Sequence, residues 1–205
     1  NFWDFDGKIR YRPSVRTSFA LTGHWGNDES ASYFQRGRQL EGYDQVTVNN
    51  VNGFYVDNHN LTLNASHLLP SGVSIKNTAW YTFYQMRHVS NEAYFWEKTP
   101  IGNINYQNNT YVKDFTEKLE ISIPVNEVHY LKTGVQLSSF IVNPSVGEEK
   151  DEIKNTNSTF GNKDQQAFSG ALFIDDDWQL FHHTRLKIGL RSSLIQTSDT
   201  SFLNW

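Results

Sequence analysis

The chain has 205 residues, no cysteine, 18 Lys and Arg against 22 Asp and Glu, and a formal net charge of −4. Disulfides and thiolate metal sites are excluded, and no basic excess points to nucleic acid. At a mean hydropathy of −0.59, no stretch reaches the ~20 apolar residues of a membrane-crossing helix.

The first element is WDFDGKIRYR. Trp3, Phe5, Gly7, Ile9 and Tyr11 alternate with Asp4, Asp6, Lys8, Arg10 and Arg12. A strand sends alternate side chains to opposite faces, whereas a helix would mix these two sets all round. A strand with one aromatic and one charged face is therefore predicted. Pro13 and Ser14 break it. The next run carries Thr17, Phe19, Leu21 and Trp25 on one face and Ser18, Ala20, Thr22 and His24 on the other.

Three further pairs follow. Runs 54–68 and 73–88 are joined by LLPSG, 113–125 and 130–142 by NEVH, and 167–180 and 185–197 by FHHT. In the second pair, Phe115, Leu119, Ile121, Ile123 and Val125 oppose Thr116, Lys118, Glu120 and Ser122. About eight strands are predicted, all antiparallel, in a single domain over 1–205.

The connections alternate in length. Those near 12–16, 69–72, 126–129 and 181–184 are tight, while 27–53, 89–112 and 143–166 are long and rich in Asn, Gly, Asp, Glu and Ser. Repeated long loops are unusual in compact soluble domains. Short turns at one end and long loops at the other are the pattern of transmembrane β-barrels, with short periplasmic turns and long extracellular loops. The alternative of a soluble β-sandwich, sugar-binding in its simplest form, would make the aromatics core.

The last pair contains three acids. Phe168, Leu172, Ile174, Trp178 and Leu180 share a face, so Asp175 and Asp177 point to a polar interior, with Arg185, Lys187 and Arg191 on the next strand as partners. Asp176 falls on the apolar face. Either it sits at the membrane interface, where a charge costs less, or a β-bulge shifts the alternation.

The stretch ALFIDDDWQLFHHTRLKIGLRS resembles the barrel segment of TonB-dependent outer-membrane receptors of Bacteroidetes-type bacteria. Asp175-Asp176-Asp177-Trp178 stands at the family's acidic-Trp positions, and Gly189-Leu190-Arg191 matches the strand end. FWDFDGKIRYRPS, TSFALTGHWGND and the hairpin beginning DFTEKLEISIPV resemble the family more loosely. The resemblance implies an outer-membrane location and a 22-strand barrel, of which this chain supplies an interior wall segment without the plug. It further implies energy-coupled import of a scarce nutrient, whether a chelated metal, a vitamin, a peptide or a glycan. Its implied partners are outer-membrane lipid, a periplasmic TonB-type protein acting on the plug, and a surface lipoprotein. A complete eight-strand barrel serving as an adhesin or membrane enzyme is the competing expectation.

No catalytic set is read from the sequence, and no cofactor is expected. The histidines show no metal-ligand spacing, and Glu148, Glu149, Asp151 and Glu152 lack the spaced pattern of a calcium loop. The aromatics of the second long connection, Tyr94, Phe95, Trp96 and Tyr106, are the candidates for substrate contact, by stacking on a sugar or a planar chelate; packing on a neighbouring loop or on a partner lipoprotein are the other expectations for them.

Overall fold

A computed structural model of the protein describes residues 1–161, 164–197 and 201–204. It contains ten strands: β1 Phe2–Ser14, β2 Thr17–Leu40, β3 Tyr43–Leu68, β4 Ser74–Trp96, β5 Thr99–Pro124, β6 His129–Asp151, β7 Thr156–Gly161, β8 Gln165–Phe181, β9 Thr184–Thr197 and β10 Ser201–Asn204. All pairings are antiparallel within one sheet of order β1-β2-β3-β4-β5-β6-β8-β9-β10, with β7 also on β6. β1 and β10 do not pair with each other, so the sheet is open. The described residues form neither a closed small barrel nor the two layers of a sandwich.

The short turns fall where the sequence places them. Ser14 Oγ accepts the amides of Arg16 and Thr17 at 3.2 and 3.1 Å. The amide of Gly72 returns to the Leu69 carbonyl at 3.0 Å, with Gly72 at φ 85°. Asn126 Oδ1 accepts the amides of Val128 and His129, both at 2.9 Å.

The long loops are corrected. Segments 27–53 and 89–112 are hairpin arms that continue the strands. Gln35 pairs with Asn49 across one two-residue turn, and Asn91 with Asn105 across another. Segment 143–166 continues β6, turns back through β7 and enters β8; its Asn162 and Lys163 lie outside the described residues. The polar side chains that suggest loops bond across the strands instead, as in Gln35 Nε2 to Asn49 Oδ1 (3.0 Å) and Gln85 Nε2 to Asn109 Oδ1 (2.7 Å). At 24 and 26 residues, β2 and β3 each run ~80 Å.

The two faces differ in exposure. Leu172 is 65% exposed and its neighbours Ala171 and Phe173 are 6% and 8% exposed. Thr116, Ser122 and Ser138 share the face of Ala171 and Phe173 and are also buried. Side chains that crowd on one face and splay on the other mean that the sheet curls toward its polar side. The concave face is thus polar. The convex face carries Phe5, Ile9, Leu21, Leu63, Phe115, Leu137, Leu172 and Leu190, all exposed.

Among the described residues a conventional core is nearly absent. The one buried apolar cluster among them, Val46, Val48 and Tyr94, lies in the distal arms, where Ile104 and Ile153 pack on it.

Candidate functional site

Four depressions run in series along the concave face, each sharing walls with the next. The first, a cleft of about 710 Å³, wraps the short-turn rim; Arg12, Arg16 and the hydroxyls of Ser14, Ser18, Ser66 and Ser74 line it together with Thr17 and His67 from the convex side. Ser18 and Ser66 also border the second depression, which holds Lys8, Arg10 and Lys76. Lys76 and Asn64 pass to the third, which adds Trp80, Lys118 and Glu120. Lys118 and Glu120 pass to the last, which adds Lys132, Phe173, Asp175 and Arg191. The result is one trough crossing the sheet from β1 to β9, with eight cations and two carboxylates on its walls.

Register builds this trough. Lys76 lies opposite Glu120, and Thr78 opposite Lys118. Asp175 lies opposite Lys132 on one side and Gly189 on the other. Glu120 binds Lys118 at 3.1 Å and Lys132 at 3.6 Å. The Lys118 ammonium also sits 4.8 Å from the centre of the Phe173 ring. Phe173 in turn covers Gly134, where a Cβ would stand 2.2 Å from the Leu119 carbonyl oxygen and 2.5 Å from the ring edge. Only glycine lets the strands and the ring approach this closely.

The acids and bases expected on the polar side all share it. Asp177 lies opposite Lys187, but its ion pair is with Arg185, at 3.9 Å. Arg191 donates to Gln136 Oε1 at 3.3 Å rather than to either acid.

Asp176 stays on the apolar face. The pairing of β6 with β8 is unbroken from His129–Trp178 to Val142–Gln165, so no bulge rotates it away. A partner meets one of its two oxygens, while Oδ1 is buried without one among the described residues. His129 Nδ1 lies 2.7 Å from Asp176 Oδ2, and the His129 ring stacks on Trp178 at 5.3 Å. A second polar pair shares this face, with Asn77 Nδ2 donating to Glu117 Oε1 at 2.9 Å.

The distal arms separate the four aromatics expected to meet substrate. Tyr94 is buried and its hydroxyl donates to Glu92 Oε2 at 2.7 Å while accepting from Arg38 at 3.1 Å. Phe95 takes the opposite face. Trp96, at the hairpin tip, packs edge-on to Tyr43 at 5.6 Å. Tyr106 belongs to a ladder across four strands. Phe54 stacks on His88 (4.4 Å), His88 contacts Tyr106 (5.5 Å) and Tyr106 stacks on Phe160 (5.6 Å). The stacked rings turn their faces to one another, so the ladder stiffens the arms by cross-strand pairing. Beside it, Arg36 and Asn50 both donate to Glu92 Oε1, at 2.8 and 2.9 Å. Burial pushes the Glu92 carboxyl up, but the bonds from Tyr94 and Asn50 and the charges of Arg36 and Arg38 outweigh it and hold it below its ordinary value. Burial and the bond to Glu92 raise the Tyr94 hydroxyl.

Two groupings escape the sequence reading, the Lys118–Glu120–Lys132 triad and the Arg36–Glu92–Tyr94 network. Alternation puts Lys118 and Glu120 on the polar face, but only register brings Lys132 beside them. No group of three or more His, Asp or Glu able to hold a metal occurs among the described residues.

No protein-family model matches the chain. No curated protein matches it significantly either.

Proposed function

We propose that this chain forms barrel wall in an outer-membrane transporter that imports a scarce nutrient by energy coupling. The convex face meets lipid, and the concave face meets water and the transported solute. A plug moved by a periplasmic TonB-type protein opens the path. The distal arms reach beyond the membrane, where a surface lipoprotein could seat against them. No covalent chemistry is assigned to the chain.

The observation that carries this reading is the uncovered convex face. A compact 23.7 kDa monomer exposes ~9,800 Å², whereas this chain exposes 14177 Å². Exposed large apolar side chains of the convex face, among them Leu21, Leu63, Phe115, Leu137, Leu172 and Leu190, lie in one band. On β8 the band runs from Phe168 to Trp178, 11 residues or ~35 Å along the strand. At the ~45° tilt of membrane strands this spans ~25 Å, the height of the lipid-facing band of outer-membrane barrels. Trp25, His59, Phe83 and Tyr111 contact one another in series along its distal edge, at 6.2, 5.6 and 6.5 Å. His129 and Trp178 stack at the other edge. Aromatic rings at both edges suit the two membrane interfaces.

The test is a pair of substitutions on opposite faces. Leu172→Arg places a charge toward lipid and should cost ~2–4 kcal/mol in bilayer assembly. Thr22→Arg faces the wet side and should assemble like the parent. Equal assembly of the two variants, or a stable soluble monomer without detergent, would overturn the proposal.

A further inference from the structure

We infer that the concave trough binds an acidic oligosaccharide, a sugar chain bearing carboxylate or sulfate groups. The inference deepens the transport reading by naming a solute class, and it rests on that reading for the fate of the bound chain.

Three features of the trough carry it. First, its charge runs against composition. A chain of net charge −4 concentrates eight cations against two carboxylates here. One of those carboxylates, Glu120, is already held by Lys118 and Lys132. Lys8, Arg10, Arg12, Arg16 and Lys76 have no ion pair within 4.0 Å among the described residues. A concave surface lined by one sign of charge concentrates ligands of the other sign.

Second, the remaining walls match sugar better than peptide or nucleic acid. Thr22, together with the Ser18–Ser66 and Thr78–Asn64 pairs that bond each other at 2.8 and 3.0 Å, presents hydroxyls and an amide with remaining capacity to a polyhydroxylated chain. Strand amides from β2 to β9 are engaged in the sheet on both sides, so a peptide could add as a strand only at the outer edge of β1, not across the trough. Among the described residues the trough carries two aromatic rings, Trp80 on β4 and Phe173 on β8, and Phe173 lies buried under Lys118. Bases of a single-stranded nucleic acid, which stack on successive ring faces, find no such series.

Third, the trough is long. From β1 to β9 it crosses seven strand spacings, ~34 Å of arc. A single small anion fills one depression, whereas a linear chain with repeated charges engages all of them.

The experiment is titration of the detergent-folded protein with a uronic-acid tetramer, a neutral tetramer of the same length, and hexaglutamate. The uronate should bind, and its affinity should fall as salt rises. R10Q/K76Q should weaken it at least tenfold with an unchanged strand signal in circular dichroism, and R10K/K76R should restore most of the loss. K154Q, at a distal turn, should bind as the parent does. Equal binding of the neutral tetramer, equal binding of hexaglutamate, no uronate binding, or the same loss in K154Q would each overturn the inference. Insertion into bilayers is measured separately. A protein that inserts but ignores uronate sinks the solute assignment alone, and one that binds uronate but never inserts sinks the transport reading.

Discussion

His129 Nδ1 and Asp176 Oδ2 lie 2.7 Å apart on the apolar face of the sheet, five residues or fewer from the turns that flank them. The pair converts an apparent sequence error into a bonded unit at the lower edge of the apolar band, with Trp178 stacked over the imidazole.

Removing one member should be worse than removing both. His129→Ala leaves the Asp176 carboxylate without its donor and should cost about 1–3 kcal/mol. The double change His129→Leu, Asp176→Leu keeps the face apolar and should stay within about 1 kcal/mol of the parent. Urea unfolding of the bilayer-folded protein measures both. Equal losses in the two variants would show that the pair contributes nothing specific.

Gly134→Ala should be destabilising by about 1–3 kcal/mol, because the new methyl meets the Leu119 carbonyl and the Phe173 ring. Gly170→Ala is the matched control, since its Cβ would meet nothing closer than 3.6 Å. The same unfolding assay should find the control near neutral. A Gly134→Ala protein as stable as Gly170→Ala would remove the case for close approach at this position.

The β4–β5 hairpin turns on Glu97 and Lys98, at φ 48° and 73°. Both central residues of a two-residue turn are left-handed here, a geometry that Asn-Gly adopts with far less strain. Replacing Glu97-Lys98 by Asn-Gly should stabilise the distal arm by roughly 1 kcal/mol. Slower amide exchange near Tyr94 and Ile104 reports it, and unchanged exchange would refute it.

Acid should loosen the same arm. The folded Glu92 carboxyl sits below its ordinary 4.5, so the unfolded chain binds more protons than the folded one in that range. The contribution is therefore complete above 4.5 and is lost as pH falls through the lower folded value. Glu92→Gln should remove the part of the pH dependence of exchange at Asn50 and Tyr94 that this carboxyl supplies. An unchanged profile in Glu92→Gln would count against the network.

The sequence by itself determined the strands, their two-faced character and the short turns, because a period of two and residues such as Pro70, Gly72 and Asn126 are local signals. It also placed Asp175, Asp177, Arg185, Lys187 and Arg191 on one face, which needs only a count of alternate positions. The long arms were not legible. Asn- and Ser-rich segments look like loops until their side chains find partners across a strand, and Glu97-Lys98 carries no turn signal. Only the tertiary structure brought His129 to Asp176 and Lys132 to Glu120. Those contacts depend on register between strands, and register is set by the whole sheet rather than by any one segment.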